Sequence, residues 1–185
     1  MDLPVLSVRE LTVKDIPLIA DYWLKADTAA LTAMGVDLSK MPTREQMSGG
    51  LAAQLALPLN ERRAYCIIWE IDGKPVGHCN TNPSFFGIEA FMHLHLWQPS
   101  TRHSGIGLQL LGLTLPYFFR NLEIDNLYSE PYALNPAPNK TLKKAGFAFV
   151  KEYLTIPGSL NFEQPVKQWL MTREKFEWLA NTKLA

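Results

Sequence analysis

Two histidines in the segment EAFMHLHLW, residues 89–97, are candidates for acid–base chemistry in this sequence. Histidine titrates near neutral pH, so it can take a proton from a reacting group and return it. The segment has the composition of a β-strand, in which successive side chains point to opposite faces. His93 and His95 therefore share one face, and the apolar residues between and beyond them share the other. A single strand histidine is usually a hydrogen-bonded core residue, but this pair predicts a functional role for at least one member.

Glu130, near the end of the strand-like segment NLYSEPYAL, is a second candidate for a base. A carboxylate at this position can accept a proton, or it can form an ordinary ion pair or hydrogen bond at a strand end. The sequence leaves both interpretations open. A metal site built from His78, His93 and His95 is disfavoured, because neither cysteine of the chain is placed to complete it.

A glycine-containing turn, STRHSGIGLQLLGL at residues 100–113, follows the histidine strand and opens an apolar helix. The unpaired amides and positive dipole of a helix N-terminus favour an anion, and glycines let that anion come close. Arg102 and the Ser104 hydroxyl would add donors. The spacing lacks the Lys-Ser/Thr pair of a P-loop and the third glycine of the dinucleotide fingerprint. The turn indicates either an anion site of another kind or a simple connection between strand and helix.

Segments typical of strands and helices alternate along the chain. PVLSVRELT predicts a strand, Thr12 caps a helix in VKDIPLIADYWLKAD, and a second helix is predicted in TREQMSGGLAAQLAL. The helix after the glycine turn is expected to run to about Arg120. Later segments predict a strand (NLYSEPYAL), a short helix (PAPNKTLKKAG), two strands (FAFVKEYLTI and PVKQWLMT) and a last helix (REKFEWLANT). This pattern predicts a mixed α/β sheet in a single domain over residues 1–185.

The segment RRAYCIIWEIDGKPVGHCNTN predicts a β-hairpin with a two-residue turn at Asp72-Gly73. In a regular hairpin this turn places Cys66 directly opposite Cys79. We expect both thiols to be reduced and buried, since two cysteines do not form a disulfide framework and the compartment is expected to be reducing.

The overall composition excludes several classes of protein. Eighteen basic and eighteen acidic residues cancel, without the clustered basic footprint of a nucleic-acid binder. No apolar run approaches the roughly 18 residues needed to span a bilayer, and the first residues do not resemble a signal peptide. We therefore expect a cytoplasmic protein without nucleic-acid or membrane partners, and small charged substrates remain open.

Two segments of the chain resemble motifs of the GNAT superfamily of N-acetyltransferases. Its motif for the acyl-CoA pyrophosphate, R/Q-x-x-G-x-G/A, is matched by Arg102, Gly105 and Gly107. Its later motif is an asparagine opening a helix that closes with Lys-x-Gly-Phe, matched by Asn135, Lys144, Gly146 and Phe147. The segments VLSVRELTVKDIPLIADYW and IDGKPVGH are also similar to the first strand and helix and to the following hairpin of that family. The resemblance thus covers nearly the whole chain.

This resemblance implies an α+β fold: a twisted, mostly antiparallel mixed sheet with helices on both faces, splayed between its fourth and fifth strands. Acyl-CoA would lie in that gap, with its pantetheine arm along the fourth strand and its pyrophosphate on the glycine turn. The residues that the resemblance assigns to acyl-CoA are Leu96, Trp97, Gln98, Arg102, His103, Ser104, Gly105, Ile106, Gly107, Leu108, Asn135 and Asn139.

The resemblance also implies direct transfer of an acetyl group from acetyl-CoA to an amine, without a metal. His93 matches a histidine of the branch that resembles siderophore hydroxylysine acetyltransferases, and Glu130-Pro131 matches a dipeptide of the same branch. His93 is therefore the expected base, Glu130 the other candidate, and His95 a neighbour or substrate contact. The tyrosine that often protonates the leaving thiolate is replaced by Leu142, as in branches resembling ribosomal-protein N-terminal acetyltransferases, so the general acid is unassigned.

Three functional hypotheses follow. The first is an acetyl-CoA-dependent N-acetyltransferase for a small amine, an antibiotic or a peptide N-terminus, as a monomer or a homodimer. The second is a non-catalytic acyl-CoA-binding module, which the missing tyrosine favours. The third is an interaction protein that has kept only the fold.

Overall fold

The computed structural model describes residues 3–97 and 105–182. The strands are β1 (Leu6–Glu10), β2 (Tyr65–Ile71), β3 (Lys74–Phe85), β4 (Glu89–Leu96), β5 (Asn126–Ser129), β6 (Ala148–Thr155) and β7 (Gln164–Thr172). They form one seven-stranded sheet in the order β1-β2-β3-β4-β5-β7-β6. Neighbouring strands are antiparallel except for the parallel pair β4 and β5. This confirms the predicted mostly antiparallel mixed sheet.

Helices cover both faces of the sheet, as predicted. They are α1 (Ile16–Leu24), α2 (Thr28–Ala33), α3 (Arg44–Ala56), α4 (Ile106–Asn121), α5 (Pro136–Lys144) and α6 (Arg173–Thr182). α1 and α3 pack on the face that carries Cys66 and Ile68 of β2. α4, α5 and α6 contribute to the larger core on the opposite face, together with Ile67 and Trp69. The six-residue α2 was not predicted, because it is too short to show helical periodicity.

α4 is fixed against the sheet by a buried stripe, which includes Leu111, Leu115 and Phe118. Within this core the indole N–H of Trp69 donates to the Thr114 hydroxyl at 2.8 Å, and that hydroxyl donates to the Leu110 carbonyl at 2.8 Å. Buried polar groups need such partners, so this chain of bonds lets an indole and a hydroxyl lie inside the core. The packing of α4 determines where its N-terminus lies relative to β4.

The hairpin of β2 and β3 has the predicted turn but leaves the predicted register after its first two pairs. A bulge lies between Trp69 and Glu70: Glu70 pairs with Pro75 but Trp69 pairs with Gly77, so Val76 is the extra residue on β3. Cys66 therefore lies opposite Asn80, and the prediction that it lies opposite Cys79 is wrong. Because strand side chains alternate, a shift of one residue places the two thiols on opposite faces of the sheet.

Oxidation of the folded protein is expected to form no Cys66–Cys79 disulfide. Cys66 packs under α1 and α3, Cys79 lies in the larger core, and burial raises the pKa of both thiols. Peptide mapping without reductant after mild oxidation should recover both cysteines as free thiols, whereas protein oxidised in denaturant should yield the linked peptide. An intramolecular disulfide in protein that remains folded would contradict the register.

Candidate active site

Four polar side chains form a patch on the sheet face beneath α1 and α3. β3 and β4 pair with His78 opposite His95 and Asn80 opposite His93. Directly opposed residues of an antiparallel pair share a face, so these side chains lie side by side. The two histidines of β4 thus share a face, as the alternation of the sequence predicted, while Leu94 between them packs against the core on the other side.

The sheet opens between β4 and β5 next to this patch. The parallel ladder has three pairs and ends at Phe91 opposite Tyr128. Beyond that pair the Ser129 hydroxyl donates to the Met92 carbonyl at 2.9 Å, in place of a ladder hydrogen bond. The predicted splay between the fourth and fifth strands is therefore present, and it begins at a buried serine.

Glu130 and His93 lie on the two sides of this gap. Phe91 and Tyr128, the last ladder pair, stack with ring centroids 5.2 Å apart. His93 and Glu130 each come two residues later on their strands, so their side chains lie on the same face as these rings. Oε1 of Glu130 accepts hydrogen bonds from Tyr153 at 2.5 Å and Gln168 at 2.6 Å. The structure thus brings together two of the predicted catalytic residues.

The hydrogen bond of His93 determines which ring nitrogen can act as a base. Nε2 lies 2.9 Å from the backbone carbonyl oxygen of Asn82. A carbonyl only accepts, so Nε2 carries the hydrogen and donates it, which leaves the lone pair on Nδ1. Nδ1 has no hydrogen-bond partner among residues 3–97 and 105–182. Burial lowers the pKa of His93, against the smaller opposing effects of the Asn82 bond and the Glu130 charge, so the ring is neutral at pH 7.

His78 and His95 are held in a cluster of aromatic rings. The indole N–H of Trp97 donates to Nδ1 of His78 at 2.8 Å, so the hydrogen of His78 is on Nε2. Burial lowers the pKa of His78 to about 3 and lowers the pKa of His95 well below its usual value. The His95 ring stacks on His78 at 4.6 Å, and its Nδ1 lies 3.3 Å from the Tyr22 hydroxyl oxygen. Both rings are therefore neutral and fixed in place.

A cavity of about 590 Å³ lies over this polar patch. His93, His95, Glu130 and Asn135 all line it. Its other walls come from α1 and α3 and from residues 34–36 and 157–161. Leu96, Trp97 and residues 105–108, which are predicted to contact acyl-CoA, lie outside this lining. The three predicted catalytic residues therefore line one cavity, and Asn135 joins them there from the set predicted to bind acyl-CoA.

The N-terminus of α4 contains the predicted glycine turn. Gly105 has a left-handed backbone, with φ 79° and ψ −8°, and its carbonyl accepts from the Leu108 amide at 3.1 Å. The amides of Ile106 and Gly107 precede the first hydrogen bond of the helix and point out of its end. A Cβ on Gly107 would lie 3.4 Å from Cδ1 of Leu96, so this helix end abuts the end of β4.

The remaining residues predicted for this site, Gln98, Arg102, His103 and Ser104, lie outside the described residues. The described part of the turn still shows the geometry an anion needs, since a left-handed glycine leads into unpaired amides at the positive end of a helix of 16 residues.

Asn135 and Asn139 lie at the start of α5. The Asn135 side chain caps this helix by accepting from the Ala137 amide at 3.4 Å. Asn139 donates to the carbonyls of Asn135 at 2.7 Å and Tyr132 at 3.1 Å, and it accepts from the Trp169 indole at 2.8 Å. Asn139 thus uses both amide hydrogens and its carbonyl to hold the start of α5.

Leu142, at the position of the expected tyrosine, is fully buried in the core. No hydroxyl is available there. The structure leaves the proton donor for a leaving thiolate unassigned, as the sequence did.

Several residues around the cavity were not predicted from the sequence as part of the site. Asn80 and Asn82 carried a usable signal, because with His78 they place polar groups at every second position of the strand. Tyr22 on α1 and Gln168 on β7 carried none, because their contacts join segments that are distant in sequence.

Within the described ranges, no group of three His, Cys, Asp or Glu side chains is arranged to hold a metal ion. In the same part of the chain, none of the helices combines the length and apolar character that crossing a membrane requires.

A family model described as an acetyltransferase (GNAT) domain matches residues 6–148. Comparison with curated protein sequences finds no similar one.

Among solved structures, a spermidine N-acetyltransferase from Vibrio cholerae in complex with CoA and spermine is similar, with a TM-score of 0.75 and 14% identity. The match covers 93% of this chain and 98% of that one. RimL, a ribosomal L7/L12 alpha-N-protein acetyltransferase in complex with coenzyme A, gives 0.73 at 17% identity, covering 92% and 95% of the two chains. The aminoglycoside acetyltransferase AAC(6')-Ib with ribostamycin and coenzyme A gives 0.71 at 19% identity, covering 93% and 96%. Such identities show a shared fold.

Proposed function

Because this chain belongs to the GNAT family and is an acetyl-CoA-dependent N-acetyltransferase, we propose that it transfers the acetyl group directly to an amine bound in the cavity over β3 and β4. His93 is the base that accepts the amine proton. The observation that carries this proposal is the orientation of His93: its Nε2 is bonded to the Asn82 carbonyl, which leaves the lone pair of Nδ1 free beside the gap.

The geometry around the gap fits acetyl-CoA. The ladder between β4 and β5 ends at Phe91 and Tyr128, which leaves the following part of β4 available to an extended arm. The amides of Ile106 and Gly107 suit a phosphate at the end of that arm. When bound, acetyl-CoA supplies the thioester carbonyl that the acceptor amine attacks.

The acceptor must lose a proton before it can act as a nucleophile. An alkylammonium with a pKa near 10.4 costs about 4–5 kcal/mol to neutralise at pH 7, so a positioned base has a large effect. Nδ1 of His93 accepts this proton, and the Asn82 carbonyl keeps the ring in the required tautomer. Glu130, across the gap, stabilises the imidazolium that forms, in agreement with its effect of raising the pKa of His93.

Glu130 is itself restrained for this role. Tyr153 and Gln168 both donate to its Oε1, which fixes the carboxylate at the gap and leaves Oε2 without a hydrogen bond among the described residues. That oxygen can face the imidazolium or the incoming ammonium. His95, neutral and packed between Tyr22 and His78, forms part of the cavity wall.

The proposal predicts amine-dependent release of CoA thiol. Acetyl-CoA is mixed with single acceptors from a panel of alkylamines, polyamines, hydroxylysine, aminoglycosides and N-terminal peptides, and free thiol is measured. At least one acceptor should raise the rate well above hydrolysis, with its acetylated product visible by mass spectrometry. The buried Leu142 favours one alternative, a binding module without catalysis. That alternative would show thermal stabilisation by acetyl-CoA but no amine-dependent thiol release.

A further inference from the structure

Charged residues of both signs contribute to the lining of the cavity. Among the described residues of the lining they are Glu10, Glu130, Arg62 and Arg63. Glu10 pairs with Ile67, whose side chain lies in the core on the α4 face, so the Glu10 carboxylate points away from the cavity. There its Oε1 accepts from the Tyr65 hydroxyl at 2.7 Å and from Asn121 of α4. That leaves Glu130 as the carboxylate at the gap, next to the proposed base. One carboxylate can pair with one ammonium of the acceptor.

The two arginines add positive charge that is not neutralised by a carboxylate. Arg62 donates to the backbone carbonyls of Leu57 and Leu55, both at 3.0 Å. The Arg63 guanidinium lies 4.6 Å over the Phe85 ring. A second ammonium in this cavity would find guanidinium groups but, among the described residues, no second carboxylate that faces it. Burying an unpaired charge is strongly unfavourable, so the cavity disfavours polycations.

The cavity surface opposite the polar patch is mainly apolar. α1 and α3 contribute Ile19, Trp23, Met47 and Leu51, and residues from the other two wall segments include Val36 and Leu160. An acceptor with its amine at Glu130 and His93 would extend its remaining atoms along these side chains. Apolar surface that is covered in this way favours binding by about 25 cal/mol per Å².

Hydrogen bonds join the two loop segments that form the far wall. The Asp37 amide donates to the Leu160 carbonyl at 2.8 Å, and Lys40 Nζ donates to the Asn161 carbonyl at 2.7 Å. The side chain of Asn161 donates to the Gly35 carbonyl at 2.9 Å. These bonds close the wall between residues 35–40 and 157–161. The closed wall limits the length of an acceptor that the cavity can enclose.

From the proposed function, and from these charges and walls, we infer that the acceptor is a small amine with one ammonium group and an apolar body, such as an alkyl- or arylalkylamine. The ammonium pairs with Glu130, and the body packs on α1, α3 and the wall of residues 34–36 and 157–161.

The test compares hexylamine with 1,5-diaminopentane, two acceptors of equal length that differ by a terminal methyl or ammonium group. The kcat/KM of hexylamine should exceed that of the diamine by at least about tenfold, because the second charge would be buried without a partner. Along the series butylamine, pentylamine and hexylamine, kcat/KM should rise by up to about fourfold for each methylene that becomes buried.

Met47 on α3 provides a matched pair of variants, since it is partly buried and lines the cavity. Met47→Glu adds a carboxylate to the apolar wall. It should lower the ratio of the kcat/KM of hexylamine to that of 1,5-diaminopentane by about tenfold. Met47→Gln has nearly the same shape without the charge and should leave the preference unchanged. The thermal shift with acetyl-CoA checks that both variants are folded and bind the co-substrate.

Faster acetylation of 1,5-diaminopentane, spermidine or an N-terminal peptide than of hexylamine would overturn this inference and leave the proposed acetyl transfer intact. An unchanged preference in Met47→Glu would equally overturn the placement of the acceptor body. Failure of every amine to release thiol would instead refute the proposed function.

Discussion

Replacing His93 with alanine is expected to lower kcat by about 10²–10⁴-fold, the usual effect of removing a positioned base. Acetyl-CoA binding should change little, because Gly105 and the helix end behind it are untouched. Steady-state rates over a range of acetyl-CoA concentrations separate the two effects. His95→Ala is the control on the same face of β4, and its effect should be milder, since His95 is a packed wall residue.

The pH dependence of kcat/KM carries a second signature of His93. Burial lowers the pKa of His93, so its neutral form persists below the usual imidazole range near 6.5. The wild-type rate should therefore fall on the acid side only as the pH drops through this lowered pKa, and His93→Ala should lose that limb. Glu130→Gln removes a charge that raises the pKa of His93, so it should move the limb to still lower pH.

The same variants distinguish the two candidate bases. If Glu130 were the base, Glu130→Gln would be nearly inactive and His93→Ala would keep near-normal turnover. That result would contradict the assignment of His93. Normal turnover in both variants would mean that neither group removes the proton and that the side chains around the gap are structural.

Replacing Gly105 with aspartate is expected to abolish stabilisation by acetyl-CoA. At 100 times its Kd, a ligand stabilises the folded protein by about 2.7 kcal/mol, which corresponds to a rise in Tm of roughly 5–11 °C for a chain of this size. The substitution adds a carboxylate beside the amides of Ile106 and Gly107, where it repels phosphate. It also adds a side chain at a residue whose φ is 79°. Scanning fluorimetry with and without acetyl-CoA measures the shift.

Gly87 provides the matched control for this experiment. It too has a positive φ, 73°, and a Cβ there would meet no atom within 4 Å, as at Gly105. It lies in the turn before β4, where its amide donates to the Leu122 carbonyl at the C-terminal end of α4, away from the glycine turn. Gly87→Asp should cost similar backbone strain but keep the full shift with acetyl-CoA. A full shift in Gly105→Asp would place the anion elsewhere, whereas loss of the shift in both variants would indicate a general effect on the fold.

Features that depend on a short stretch of chain could be predicted from the sequence. The shared face of His93 and His95 follows from the alternation of a strand, and the helix starting at the glycine turn follows from an apolar periodicity and a glycine in the left-handed conformation. The mostly antiparallel mixed sheet and its splay were expected from the resemblance of two spaced motifs, and the structure contains both.

Features that depend on contacts between distant segments were decided by the tertiary structure. The bulge between Trp69 and Glu70 moved Cys79 to the other face, although every residue of the hairpin fitted a regular register. Glu130 faces His93 only because β4 and β5 pair in parallel and then separate. Nδ1 of His93 carries the lone pair because the Asn82 carbonyl oxygen lies within hydrogen-bond distance of Nε2. A sequence records which groups can donate or accept a proton, but their partners, and hence their tautomers and pKa values, are set by the packing that brings the strands together.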